Sequence, residues 1–250
     1  KVADNIITVS QYSKQKLIEF YDVDESKIEV IYNGIDKRFK RASKKERLRV
    51  RSKYGLLDDF ILYLGAIEPK KNIDCLLDAQ RIVNEKYTAC PLVIAGAKGT
   101  MFYDLEKNIK DRKLEKMAKM LGYIDENDVV PLLSAAKIFV YPSFYEGFGF
   151  PPLEAMACGT PAIVSNVTSL PEVVGDAALV FDCDDPKNLA SMIMNLLEDN
   201  DQYKSFVLKG KKQASLFSWE RCSEKTLDLF LKDHRCQDIG KKMIYRISNL

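Results

Sequence analysis

From Phe60 onward, short runs rich in β-branched and aromatic residues alternate with helical patterns, and this alternation restricts the fold more than any other feature of the chain. Phe60 to Leu64 reads as a strand, Ile73 to Lys86 as a helix, Leu92 to Ala95 as a strand and Asp104 to Arg112 as a helix. The series continues with a strand near Lys116 to Leu121, a helix Val129 to Ala136, a strand Ile138 to Tyr141 and a short helix Pro152 to Cys158. Strand Ala162 to Ser165, helix Pro171 to Val174, strand Leu179 to Phe181 and helices Asn188 to Glu198 and Asp201 to Ala214 complete it. Repeated βα units predict an α/β fold: a Rossmann-like parallel sheet with helices on both faces, doubly wound over residues 55–215. In such sheets ligands bind beyond the carboxyl ends of the strands.

The flanks read differently. Ile6 to Val9 is a short strand, Tyr12 to Phe20 a helix and Ile28 to Tyr32 a strand closed by the turn pair Asn33-Gly34. Ser43 and Glu46 have capping-box spacing for a basic helix Lys44 to Lys53, stopped by Gly55, and its charges read as a solvated face. Ser218 is placed to cap a last amphipathic helix running through Leu231. The expected division is a connector over 1–40, a Rossmann-like domain over 41–215, and a terminal helix and tail over 216–250, with no internal repeat.

Composition excludes several classes. With 46% hydrophobic and 30% charged residues in 250, the chain has material for a sizeable core and is a poor candidate for disorder or coiled coil. A net charge of +2 carries no nucleic-acid footprint. The longest apolar stretches, such as Phe60 to Leu64 and Pro91 to Ala97, fall far short of the roughly 18 to 20 residues that cross a bilayer, and no signal peptide is visible. Cysteines 75, 90, 158, 183, 222 and 236 form no C-x-x-C pair and no zinc spacing, which suggests a reduced, cytoplasmic setting. The single histidine, His234, in a charged terminal stretch, makes a histidine-based triad a poor reading.

Chemistry concentrates in Tyr141-Pro-Ser-Phe-Tyr-Glu146-Gly147-Phe148-Gly149-Phe150-Pro151-Pro152-Leu153-Glu154, which follows a strand and opens a helix. The two glycines let backbone approach a ligand, the prolines preset the first helical turn, and the free amides there suit an anion such as a diphosphate. Glu154, placed in the first helical turn, and Glu146, just before the glycines, would flank that anion. Their charge unfits them for phosphate and fits them for hydroxyls, one of a ribose and one of a sugar. Taken alone, Glu154 is equally well a favourable helix-start acid and Glu146 a loop residue.

Glu146 and Glu154 form an E-x7-E pattern, and the stretch Tyr145 to Pro161 resembles that of the retaining GT-B glycosyltransferases of the large family that includes bacterial mannosyltransferases. The resemblance extends over residues 3–230. It includes Ala3 to Ser10, Val30 to Asp36, Gly65 with Glu68-Pro69-Lys70-Lys71-Asn72, Gly122-Tyr123-Ile124, and Ser169-Leu170-Pro171-Glu172-Val173. It implies the carboxy-terminal, donor-binding half of a GT-B fold. Glu146 would meet hydroxyls of the donor sugar and Glu154 the ribose. Gly147, Phe148, Gly149 and Phe150 would lend groups to the sugar and diphosphate, Tyr123 and Ile124 would border the base, and Gly65 lies at the end of the first strand. Lys71, joined by Lys70, would neutralise the departing diphosphate. The family usually carries Arg directly after that glycine; this chain has Ala66, and Lys70 is the candidate replacement. For Ser169-Leu170-Pro171-Glu172 a capping box explains Ser169 and Glu172, with donor contacts by the Ser169 or Leu170 amides as an additional role.

The same resemblance implies transfer of a hexosyl group with retention, most like members using GDP-mannose, with UDP-sugars second. The acceptor would be a glycan or lipid-linked glycan in cell-surface polysaccharide synthesis, bound by an amino-terminal half absent from this sequence, so that transfer by this domain alone is expected to be poor. Peripheral association of the full enzyme with the inner face of the cell membrane is a further expectation. No cofactor or metal is expected, since no Asp-x-Asp pair stands near the site and Asp182, Asp184 and Asp185 read as a turn into Pro186. A non-catalytic nucleotide-sugar-binding module is the principal rival, favoured by Ala66. A dehydrogenase would want G-x-G-x-x-G where Gly65-Ala66-Ile67-Glu68 stands. A GT-B epimerase would bind the same donor.

Overall fold

The computed structural model describes residues 3–56, 59–99, 101 and 103–232. His234 and Cys236 therefore lie outside the described residues. Among the described residues two compact units are present: one formed by residues 3–36 together with 217–232, and one formed by Lys37–Leu216.

In the first unit, strands β1 (Ile6–Thr8) and β2 (Ile28–Val30) pair in parallel, with helix α1 (Gln11–Tyr21) between them in sequence. The Ser10 hydroxyl accepts from the Ser13 amide at 3.1 Å to start α1, and left-handed Asp22 ends it. The last helix, α10 (Trp219–Lys232), is capped as expected, Ser218 Oγ accepting from Arg221 N at 3.2 Å.

The second unit is built on six parallel strands. After α2 (Lys44–Tyr54) come β3 (Ile61–Leu64), a single 3₁₀ turn Pro69–Lys71, α3 (Ile73–Asn84), β4 (Leu92–Ala95), α4 (Leu105–Asp111) and β5 (Ala118–Gly122). Then follow α5 (Glu126–Ala135), β6 (Ile138–Tyr141), α6 (Phe150–Ala157), β7 (Ala162–Ser165), α7 (Leu170–Val174), β8 (Leu179–Phe181), α8 (Pro186–Glu198) and α9 (Asn200–Ala214). The order across the sheet is β5-β4-β3-β6-β7-β8. Every residue of β4, β6 and β7 is buried, the signature of strands covered on both faces, so these segments read as unbroken apolar runs rather than alternating ones.

The chain fills one half of the sheet from β3 outward to β5, then returns to the other side of β3 with β6. This reversal leaves a crevice at the carboxyl ends of β3 and β6, where doubly wound sheets take their ligands.

Helix α2 has both halves of the expected capping box and ends on left-handed Gly55. It is tied to α5 through the buried Asp128, which takes an ion pair from Arg49 at 2.7 Å and hydrogen bonds from Lys53 at 2.6 Å and Tyr54 at 2.8 Å. Burial would raise the Asp128 carboxyl, but these donors outweigh it and hold it at about 2. Helix α5 starts three residues before the expected Val129, because Glu126 and Asp128 suit the positive end of a helix dipole. The fifth strand sits slightly later than the expected Lys116–Leu121, with a register break opposite Ile94 and Ala95.

Candidate functional site

Lys71 ends the turn after β3, and Glu146 lies five residues past the end of β6, so the switch point brings their side chains together. Lys71 Nζ lies 2.5 Å from Glu146 Oε1 and 3.0 Å from the Tyr141 hydroxyl, and 5.3 Å from the centroid of that ring. The two charged side chains keep 10% and 16% of their exposure, which makes this the most secluded of the ion pairs described.

Around the pair stands a neutral wall. Tyr63 on β3 stacks on Tyr141 of β6 at 6.1 Å, and its hydroxyl donates to the Ala66 carbonyl at 2.7 Å. Burial, reinforced by the Glu146 charge, pushes both phenols far above the ordinary tyrosine value, so each stays protonated. Glu154 also faces Tyr141 closely enough to add to that effect.

The loop carrying Glu146 is braced from two sides. Toward β3, Phe144 N donates to the Lys70 carbonyl at 2.9 Å and Ser143 Oγ to the same oxygen at 3.2 Å. Toward β7, Thr168 Oγ1 accepts from Glu146 N at 3.1 Å, and Ser169 Oγ donates to the carbonyls of Glu146 and Phe148 at 3.0 Å each. Ser165 Oγ adds a bond to the Ser143 carbonyl at 2.5 Å. Thr168 sits at φ +57°, an unfavourable conformation for a β-branched residue that the loop imposes.

Two expectations are corrected here. Ser169 makes no side-chain cap on α7; its hydroxyl is spent on the Glu146 loop instead, so the capping-box explanation fails. Asn72, just before α3, has left-handed backbone, and its Nδ2 donates to the Cys183 carbonyl at 2.8 Å. Glu154 is the fifth residue of α6, one turn deeper than expected, because the helix already begins at Phe150.

The remaining expected residues fall into place as follows. Gly149 has φ +102°, and a Cβ there would lie 2.6 Å from the buried Leu170 side chain, so only glycine lets α7 approach. Gly147 is different: its ideal Cβ position has no atom within 4 Å. Phe148 is buried edge-on against Phe150 at 5.1 Å. The Gly65 carbonyl lies 1.8 Å from the ideal Cβ of Gly96, which packs the ends of β3 and β4 together and requires glycine at 96. After β5, Tyr123 is exposed while Ile124 turns into the core. The half-exposed Lys70 side chain is paired with the buried Glu68 at 3.2 Å. Tyr63, Tyr141, Ser143, Ser165 and Thr168 carried no sequence signal of their own, because their roles come from contacts between strands far apart in the chain.

Asp182, Cys183 and Asp184 place ligand atoms within 4.8 Å of one another. The turn itself accounts for this: Asp185 N donates to the Asp182 carbonyl at 2.9 Å, and the Asp185 carboxylate caps α8.

Residues 44–213 match the family described as Glycosyl transferases group 1, and residues 1–39 match Glycosyltransferase Family 4. O-antigen chain mannosyltransferase B of Escherichia coli is 38% identical over 227 residues, covering 90% of this chain and 60% of that protein. The serotype-specific mannosyltransferase WbdA of Escherichia coli is 30% identical over 246 residues, covering 92% of this chain and 29% of that protein. Among solved structures, Anabaena HepE in complex with UDP and glucose superposes with a TM-score of 0.81 at 22% identity, over 91% of this chain and 62% of that one. The chain thus spans less than two thirds of each of these proteins.

Proposed function

The chain belongs to the glycosyl transferases group 1, and from that premise we propose that it forms the donor-binding part of a retaining hexosyltransferase that uses GDP-mannose. The observation that carries the reading is the secluded Lys71–Glu146 pair at the β3/β6 switch point, bordered by the Gly147–Phe150 loop and the start of α6. The names of the mannosyltransferase relatives support mannose as the sugar. UDP-sugars are the second reading, favoured by the UDP and glucose held by the structurally similar HepE.

In this account the diphosphate takes up the Lys71 ammonium, and Glu146, released from it, accepts from sugar hydroxyls while Glu154 accepts from the ribose. The acceptor hydroxyl attacks the anomeric carbon from the side on which the diphosphate departs. A new C–O bond forms as the bond to the diphosphate breaks, and the hydroxyl proton passes to a leaving phosphate oxygen. Lys71 stabilises the charge that builds on that oxygen, a task the reading gives to the lysine rather than to a metal. The acceptor is a glycan or lipid-linked glycan of cell-surface polysaccharide synthesis.

Two variants test the roles. Glu154→Ala weakens binding of the nucleoside diphosphate by about 1 to 3 kcal/mol, whereas Glu146→Ala spares the nucleotide and weakens only the intact sugar donor. Unchanged affinity of Glu154→Ala for the nucleotide, or equal loss of both ligands in Glu146→Ala, contradicts the assignment.

A further inference from the structure

Two buried phenols lie against the Lys71–Glu146 pair, and the transfer described above gives neither of them a task. Tyr63 is committed elsewhere, since its hydroxyl donates to the Ala66 carbonyl. Tyr141, the last residue of β6, turns its hydroxyl to the Lys71 ammonium at 3.0 Å. An ammonium only donates, so here the phenol oxygen accepts.

The packing around the ring fixes that hydroxyl in place. Tyr141 is 3% exposed. Phe139, two residues back on the same face of β6, stacks on it at 6.1 Å and 16°, and Tyr63 of β3 stacks at 6.1 Å and 12°. Gly65 closes a further side: a Cβ there would lie 3.4 Å from Tyr141 Cε2 and 3.0 Å from the Tyr63 hydroxyl. With the ring locked, only the hydroxyl proton is left to turn. Burial beside the Glu146 carboxylate keeps that proton on the oxygen, so the group stays neutral.

Lys71 has the opposite character, a compact charge on a long flexible stem. Of its three N–H groups, one goes to Glu146 and one to Tyr141. In the proposed reaction Glu146 turns to the sugar hydroxyls, so the ammonium loses its charged partner when it has to meet the diphosphate. A second carboxylate in the place of Tyr141 would go on neutralising the cation and would repel the phosphate. A neutral acceptor does neither: it restrains the flexible side chain and leaves the full charge to the ligand.

We infer that Tyr141 is a positioning residue for Lys71. Its hydroxyl anchors the ammonium at the switch point, so that the charge meets the terminal phosphate of a nucleoside diphosphate once Glu146 has turned to the sugar. The inference rests on the donor site proposed above and adds a residue that acts through Lys71 rather than on the donor.

The test is calorimetric titration of the 250-residue chain and its Tyr141→Phe variant with GDP against GMP and UDP against UMP. The variant keeps the ring and its stacking and loses only the hydroxyl. Affinity for the diphosphate that binds should fall roughly tenfold, while affinity for the matching monophosphate holds. In a Lys71→Met background, adding Tyr141→Phe should change neither affinity. Equal loss of diphosphate and monophosphate overturns the inference, because a loosened core harms both alike. An unchanged diphosphate affinity overturns it as well, and so does a loss that persists once Lys71 is gone. If the unaltered chain binds none of the four nucleotides, the donor-site reading itself fails and the inference falls with it.

Discussion

Removing one side of the Lys71–Glu146 pair should cost far more than removing both. At 2.5 Å the attraction at an effective dielectric of about 20 is roughly 7 kcal/mol before desolvation, and taking two ions largely out of water cancels much of it. What survives is an asymmetry. Lys71→Met strands a secluded carboxylate and Glu146→Gln strands a secluded ammonium, so each single change should destabilise the fold by about 3 kcal/mol. The double variant leaves no uncompensated charge and should fall within about 1 kcal/mol of the unaltered chain, giving a coupling energy of about 5 kcal/mol. Lys107–Asp111 supplies the control: its separation is also 2.5 Å, but its side chains are 66% and 54% exposed. There the same cycle should return at most about 0.5 kcal/mol, because water screens the pair. Urea unfolding followed by circular dichroism measures all seven chains. Equal coupling at the two sites would refute the reasoning, since it would mean that distance rather than seclusion sets the strength of the inner pair.

Other consequences follow from single residues. The Asp128 carboxyl is depressed to about 2, so its share of stability, roughly 2 kcal/mol, is complete above the unfolded carboxyl value near 4 and is lost as pH falls toward 2. Asp128→Asn should therefore flatten the acid limb of a stability-against-pH curve between about pH 5 and 2; an unchanged limb contradicts the network drawn around it. Gly149→Ala meets a positive φ and the Leu170 side chain at 2.6 Å and should cost about 2 to 4 kcal/mol. Gly147→Ala, with open space around it, should stay within about 0.5 kcal/mol in the same thermal melt. Ser169→Ala removes the hydroxyl that bonds the Glu146 and Phe148 carbonyls and should cost about 1 to 3 kcal/mol; a neutral result would return Ser169 to mere helix initiation.

Most of the fold was legible in the chain because β3, β4 and β6 are short apolar runs and helices such as α3 and α8 show a clear apolar stripe. Phe60 to Leu64, Leu92 to Ala95, Ile138 to Tyr141 and Ala162 to Ser165 lie within a residue of where the sheet has them. Side-chain hydrogen bonds were harder to read. Ser43 with Glu46 and Ser169 with Glu172 have identical spacing, yet the first pair builds a capping box and Ser169 does not. The difference is tertiary: two carbonyls of the Glu146 loop lie within reach of Ser169, while Ser43 has no such competitor. The same holds for the Tyr63–Tyr141 stack, since residues 78 positions apart become neighbours only when β6 returns to β3. For Lys70 the expectation of a second cation beside Lys71 meets a side chain drawn to Glu68, three ångströms away.

The measurement that bears most directly on the central claim is a calorimetric titration of this chain with GDP, UDP and ADP, first without and then with divalent metal, repeated on Glu154→Ala. The account predicts saturable one-to-one binding of one nucleoside diphosphate, GDP foremost, without metal, and its weakening in the variant. Absence of binding by all three, or binding that Glu154→Ala leaves untouched, would contradict it.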